Sequence, residues 1–165
     1  MPVRLLVEAG PHPGISRAQV LRSARAMLEA VQCPEAEWSI LLTGDDQIQN
    51  LNRIYRRKDR PTDVLAFAQR EGELADAEGA LLGDVIVSIP TARRQAAEAQ
   101  RNVGEEVTML LAHGLLHLLG WDHDTDAKDR KMRRETDRLC AAASRVARPL
   151  KSTRRPARKT TRARR

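Results

Sequence analysis

The stretch His113 to His123, HGLLHLLGWDH, decides how this chain is read. Three of the four histidines fall inside it. His113 and His117 stand four apart in an apolar run of helical character, so both imidazoles project from one face, a turn apart. Gly120 then ends the helix, because glycine tolerates the left-handed conformation that a helix C-terminus often needs. The chain can turn there and bring His123 back toward the same point. Two imidazoles a turn apart and a third beyond a glycine turn supply three corners of a tetrahedron and leave the fourth to water. That is the layout of an open, catalytic zinc site; a structural site is closed by four protein ligands. A buried helix with its histidines bonded to backbone carbonyls is the bland alternative, and it leaves their gathering here unexplained.

The spacing His, three residues, His, two residues, Gly, two residues, His is that of the metzincin signature HExxHxxGxxH. In those zinc proteases the residue after the first histidine is the glutamate that serves as general base. Here it is Gly114, which cannot accept a proton. The expectation is a zincin-like metal-binding helix without the zincin's base.

At 165 residues the chain is long enough for one domain with a sizeable core. Aromatic residues are limited to Trp38, Tyr55, Phe67 and Trp121, so Leu, Val, Ile and Ala must fill most of that core. No apolar run approaches the roughly 20 residues of a membrane span. The N-terminus shows no long apolar segment or cleavage pattern of a secretory signal. Cys33 and Cys140 share no CxxC spacing and read as reduced thiols. Together these features point to the cytoplasm and to no membrane partner. The net charge is +7, but the run from Arg148 onward holds nine Lys and Arg and no acid. Removing those nine charges leaves residues 1–147 at −2. Residues 1–147 therefore read as the folded domain, and 148–165 as a disordered basic tail suited to nucleic acid.

Along the chain, strands and helices interleave as β-α-β-α-β-β-α-α-α. Val3 to Val7 reads as a strand, followed by a Pro- and Gly-rich loop in which His12 reads as a solvated residue rather than a fourth ligand. Ser16 caps a helix over Arg17 to Gln32. Trp38 to Thr43 is a strand. Asp45 or Asp46 caps a helix through Tyr55. Val64 to Phe67 and Leu81 to Ile89 are strands, with Gly83 marking a bulge or a close approach. Gln69 to Gly79 between them reads as a polar loop. Pro90 or Thr91 opens a helix through Gln100. The metal helix runs to Leu119, with Glu105 and Glu106 in its first turn, where negative charge suits the helix dipole. Leu111, Leu115 and Leu118 should face the sheet. Ala127 to Val146 is a final amphipathic helix. Asp124 and Asp126 can either cap it or bond the far nitrogens of the histidine ligands. The expected fold class is α+β: about four strands in a mixed sheet packed with helices.

The loop from Tyr55 to Phe67, YRRKDRPTDVLAF, crowds Arg56, Arg57, Lys58 and Arg60 together. Composition alone allows a solvated turn or an anion-binding edge, since arginine presents a planar fork that suits phosphate.

These blocks together carry a resemblance. HGLLHLLGWDH, with YRRKDRPTDVLAF and LLGDVIVSI before it, resembles the YbeY family of bacterial endoribonucleases over roughly residues 3–145. The resemblance implies a single-domain zinc-dependent hydrolase with one Zn²⁺ per chain. It implies single-strand-specific endonuclease activity in maturing the 3′ end of 16S ribosomal RNA and in ribosome quality control. Ribosomal RNA and the small ribosomal subunit would be its partners. By position, His113, His117 and His123 match the family's metal ligands, and Arg56 matches the arginine beside the active site. Arg57 stands where many relatives have glycine, and Trp121 where many have tyrosine. The basic tail lies outside the family pattern.

On this reading the metal supplies a nucleophile near neutral pH, and Arg56 holds the phosphate. Either water or the RNA's own 2′-hydroxyl can be the attacking group, and no carboxylate can be named as general base. Arg57, Lys58 and Arg60 are candidates for contacts to the RNA backbone. Two rivals stand beside it. A zincin-type metallopeptidase fits the histidine spacing but lacks the base at Gly114. A non-catalytic ribosome-associated zinc protein would need a fourth protein ligand.

Overall fold

The structure, a computed structural model, describes residues 2–69 and 81–147. The polar loop expected before Leu81 falls mostly outside these residues, as does the basic tail from Arg148.

Four strands form one mixed sheet: β1 (Val3–Val7), β2 (Glu37–Thr43), β3 (Val64–Ala68) and β4 (Leu81–Ser88). Their spatial order is β1-β2-β4-β3. β1, β2 and β4 run parallel, and β3 alone is antiparallel, against β4. Five helices complete the described chain: α1 (Arg17–Ala30), α2 (Asp45–Arg56), α3 (Ile89–Glu98), α4 (Val103–Leu118) and α5 (Asp126–Ala147). The expected α+β class, mixed sheet and element order are those found.

Alternation along the strands sorts side chains to two faces. Leu5, Trp38, Ile40, Leu42, Val85 and Val87 enter the main core, where α1 contributes Met27 and Leu28, α4 Leu111 and Leu115, and α5 Met132 and Leu139. The opposite face is covered in part by α2, over a small cluster of Ile48, Leu65 and Ile86. Leu111, Leu115 and Leu118 are buried, as their spacing on α4 requires.

Gly83 answers to both of its expected roles. The β2–β4 register slips between Glu37 and Trp38, so that Leu81 and Gly83 face consecutive partners. Gly83 has φ +136°, and a Cβ on it would lie 2.1 Å from the Phe67 carbonyl oxygen. Only glycine fits where β3 comes this close.

Several ends differ from expectation for local reasons. α1 stops at Ala30, because the Gln32 backbone turns left-handed at φ 61°. The N-cap of α2 is Gly44, with no side-chain capping bond. Asp45 instead reaches across to β4 and α3, accepting from Ser88 Oγ at 2.5 Å, Thr91 Oγ1 at 2.6 Å and Arg94 Nη2 at 2.9 Å. α3 starts at Ile89, a residue earlier than Pro90, since Ser88 Oγ accepts the Thr91 N–H at 3.4 Å. It ends at Glu98. Neither Asp124 nor Asp126 caps α5. Thr125 Oγ1 accepts the Lys128 N–H at 3.2 Å, while Asp124 pairs with Lys128 at 3.1 Å and Asp126 lies in the first turn.

Candidate metal centre

α4 is fixed at both ends. At its start Asn102 Oδ1 accepts the Glu105 N–H at 2.9 Å and Asn102 Nδ2 donates to Glu105 Oε1 at 2.5 Å. One turn in, Glu106 is buried and paired with Arg101 at 2.7 Å. At its far end the Gly120 N–H bonds the His117 carbonyl at 3.0 Å and the Trp121 N–H bonds the Leu116 carbonyl at 2.9 Å. Gly120 has φ +90°. This pair of backward bonds around a left-handed glycine is the Schellman closure. It reverses the chain directly after His117 and returns His123 to the end of the helix.

The three imidazoles meet there. The Nε2 atoms of His113 and His117 are 3.0 Å apart. Ring centroids are 4.6 Å apart for His113 and His117, 5.7 Å for His113 and His123, and 5.3 Å for His117 and His123. One ligand atom from each ring lies within 4.8 Å of the other two. Nitrogens sharing a tetrahedral ion at bonds of about 2.0–2.1 Å stand about 3.3 Å apart, so the cluster is close to the size a metal needs. His113 and His117 are half-buried and His123 is exposed, which leaves one side of the cluster open. An all-imidazole donor set suits zinc and its neighbours in the first transition row.

The electrostatics favour the ligating form. Burial, then the charges of His117 and His123, hold the His113 pKa below the usual imidazole value, against opposing pulls from Asp63 and Asp129. His117 is likewise lowered by burial, then by His123 and more weakly by Arg56, while a backbone hydrogen bond with Trp121 and the Asp122 charge act the other way. A histidine with a lowered pKa is neutral over a wider pH range, and metals bind the neutral ring. The backbone hydrogen bond with Trp121 helps to orient the His117 ring. No hydrogen bond joins Asp124 or Asp126 to the imidazoles among the described residues, so the orienting part goes to Trp121.

Arg56 is the last residue of α2 and is exposed. Its Nη2 donates to the Ala66 carbonyl on β3 at 3.2 Å. Arg57, Lys58 and Arg60 lie exposed on the loop that follows, and buried Asn52 pins that loop. The Asn52 carbonyl accepts the Lys58 N–H at 3.3 Å, and its side-chain Nδ2 donates to the Arg60 carbonyl at 2.9 Å. His12 is apart from the cluster, with its Nε2 bonded to the Glu8 carbonyl at 2.8 Å.

Two residues near the centre escaped the sequence reading. Asp63 and Asp129 line a cleft of about 460 Å³ together with His113, His123 and Arg133. Asp63 Oδ1 accepts the Val64 N–H at 2.8 Å, and its Oδ2 accepts from Gln95 Nε2 at 3.2 Å. Asp129 pairs with Arg133 at 3.0 Å. Asp63 directly precedes β3, and Asp129 sits in the first turn of α5, where an acid is ordinary. Neither carries a spacing signal that ties it to the histidines.

A mixed sheet backed by a helix that ends in a half-open cluster of three histidines defines an α+β protein with a candidate metal centre. Residues 14–144 match the family profile described as endoribonuclease YbeY. The chain is 49% identical to an endoribonuclease YbeY of Anaeromyxobacter sp. strain Fw109-5 over 86% of its own length and 72% of the relative's. A second, from Anaeromyxobacter dehalogenans, is 46% identical over 96% of this chain and 80% of its own. The solution structure of TM1509 from Thermotoga maritima superposes with a TM-score of 0.60, covering 93% of this chain and 99% of that one. At 24% identity it speaks for the fold alone. The chain belongs to the endoribonuclease YbeY family, and an endoribonuclease is a hydrolase.

Proposed function

We propose that this protein hydrolyses RNA phosphodiesters at a zinc ion held by His113, His117 and His123, with Arg56 binding the phosphate. The observation that carries the reading is the 3.0 Å approach of the His113 and His117 Nε2 atoms beside an exposed arginine whose charge His117 feels. When bound, the ion supplies Lewis acidity: it lowers the pKa of water and polarises a phosphoryl oxygen. Arg56 is already oriented by the Ala66 carbonyl, so part of the entropy of fixing a long side chain is lost before substrate arrives. Its planar fork donates hydrogen bonds to two phosphate oxygens and offsets charge that develops on them. Arg57, Lys58 and Arg60 extend the positive field along the RNA backbone.

Family membership supports the finer parts of the reading. They are a single-stranded substrate, action at the 3′ end of 16S ribosomal RNA in ribosome biogenesis and quality control, contact with the small ribosomal subunit, and a cytoplasmic location. Among the described residues no helix is long and apolar enough to cross a membrane. The domain spans residues 1–147, and the basic tail adds sequence-independent attraction to RNA.

The test is cleavage of single-stranded RNA by purified protein. Chelation should abolish it and added zinc restore it. Arg56→Ala should lower kcat/KM by about 100-fold, the scale of losing one charge-stabilising donor. A cyclic phosphate end on the product would assign the attack to the 2′-hydroxyl, and its absence to water. Cleavage that survives His117→Ala would overturn the proposal.

A further inference from the structure

Tyr55 and Phe67 are the only tyrosine and the only phenylalanine in the chain, and they touch. Their ring centroids are 5.2 Å apart with planes at 60°, edge to face. The Arg56 guanidinium carbon stands 6.0 Å from the Phe67 ring centre. Phe67 is anchored: it packs on the Ile48, Leu65 and Ile86 cluster, and its own carbonyl is the atom that Gly83 lets come close. Tyr55 is the opposite case, with 66% of its surface exposed. Both rings line a largely apolar cleft of about 790 Å³ on the α2 side of the sheet, whose wall also includes Arg4 and Leu6.

A tyrosine held from behind by a fixed ring, and open in front, presents a preset π-face at small entropic cost. One residue away is the guanidinium whose charge His117 feels. In a single strand, phosphates and bases alternate, so a phosphate on Arg56 brings a neighbouring base within reach of an adjacent side chain. Every base has a face to stack, whereas in a duplex those faces are already occupied. The basic residues from Arg56 to Arg60 supply the complementary charge for that strand.

We propose that Tyr55, backed by Phe67, is a stacking platform for an unpaired nucleobase flanking the phosphate at Arg56. The platform selects single-stranded RNA, and it rests on the nuclease reading of the histidine centre. Tyr55 is a positioning residue: it holds a base beside the reacting phosphate and takes no part in the bond changes.

Steady-state cleavage of a 12-nucleotide single-stranded RNA tests this, together with fluorescence of 2-aminopurine placed in turn along the same oligonucleotide. Tyr55→Leu should raise KM about tenfold with kcat changed less than threefold, a loss within the range of one stacked base. Tyr55→Trp should restore KM, because any large flat ring serves. One 2-aminopurine position should be quenched by the wild-type protein and by Tyr55→Trp, and not by Tyr55→Leu. If the wild type cleaves while Tyr55→Leu keeps its KM and its quenching, the platform is wrong and the nuclease stands. A fall in kcat at constant KM also overturns it. A wild type that neither binds nor cleaves RNA overturns both.

Discussion

The Cβ that Gly114 lacks would lie 2.7 Å from Cγ1 of Val85 and 2.9 Å from its Cγ2. At Gly114, therefore, the backbone of α4 rests directly on Val85 of β4. A side chain at position 114 would start against Val85 of β4. A zincin's glutamate would collide with Val85 at its first side-chain atom, so packing as well as composition counts against the peptidase alternative. Gly114→Ala gains about 1 kcal/mol of helix propensity. The overpacking it forces costs about 1–3 kcal/mol, because a β-branched valine has little room to yield. We expect a net loss of up to about 2 kcal/mol by thermal unfolding, recovered in part by Gly114→Ala with Val85→Ala. A higher Tm for the single variant would contradict the packing.

Arg57 sits at the C-terminus of α2 with φ 56° and ψ 33°, the left-handed region. A side chain there costs about 1 kcal/mol relative to glycine. Arg57→Gly should therefore raise stability by about that amount in denaturant titration. It should also weaken RNA binding severalfold, since a charge beside the candidate phosphate site is lost. Stability and binding moving in the same direction would count against this account.

Asp45 joins α2 to the start of α3. Burial by itself would raise its pKa, but hydrogen bonds from Ser88, Thr91 and Arg94, with the Arg94 charge, outweigh it and lower the pKa below the ordinary 3.8. A lowered folded-state pKa contributes stability above the unfolded value, and that contribution fades as pH falls through the folded one. Asp45→Asn should therefore be less stable than wild type at pH 5–8, with the gap closing below about pH 4. Melting curves across that range check it; a gap independent of pH would assign the effect to packing.

Residues 149–165 contain eight Lys and Arg and no acid. Each phosphate neutralised on a single strand contributes about −0.7 to the slope of log affinity against log salt. A chain ending at residue 148 should bind RNA more weakly at low salt, with a shallower salt slope and an unchanged Tm. Equal affinity at low and moderate salt would show that the tail is a bystander.

The site was more legible in the sequence than its supports. His113, His117, Gly120 and His123 lie within one turn-and-a-half of helix and its closure, so local spacing alone could bring them together. The strands were legible because apolar residues crowd where both faces are covered. Long-range polar choices were not. Asp45 had the residue type and position of a cap, yet its partners lie 43 to 49 residues away on β4 and α3. Thr125, an ordinary capping type, took the place expected of Asp124 or Asp126. The Trp121 backbone bond to His117 uses no side chain of Trp121, so no residue type could announce it. Asp63, in the loop before β3, and Asp129, on α5, reach the cleft from distant parts of the chain, and only tertiary packing brings both to it.

β3 is an outer strand, and such strands bare a row of backbone groups to any passing chain. The guanidinium on the Ala66 carbonyl occupies one of them. One charged side chain thus guards the sheet's margin while it waits for substrate. Losing it should leave a molecule that not only handles RNA poorly but sticks to its own copies, a defect that would surface as turbidity in concentrated, warm solutions.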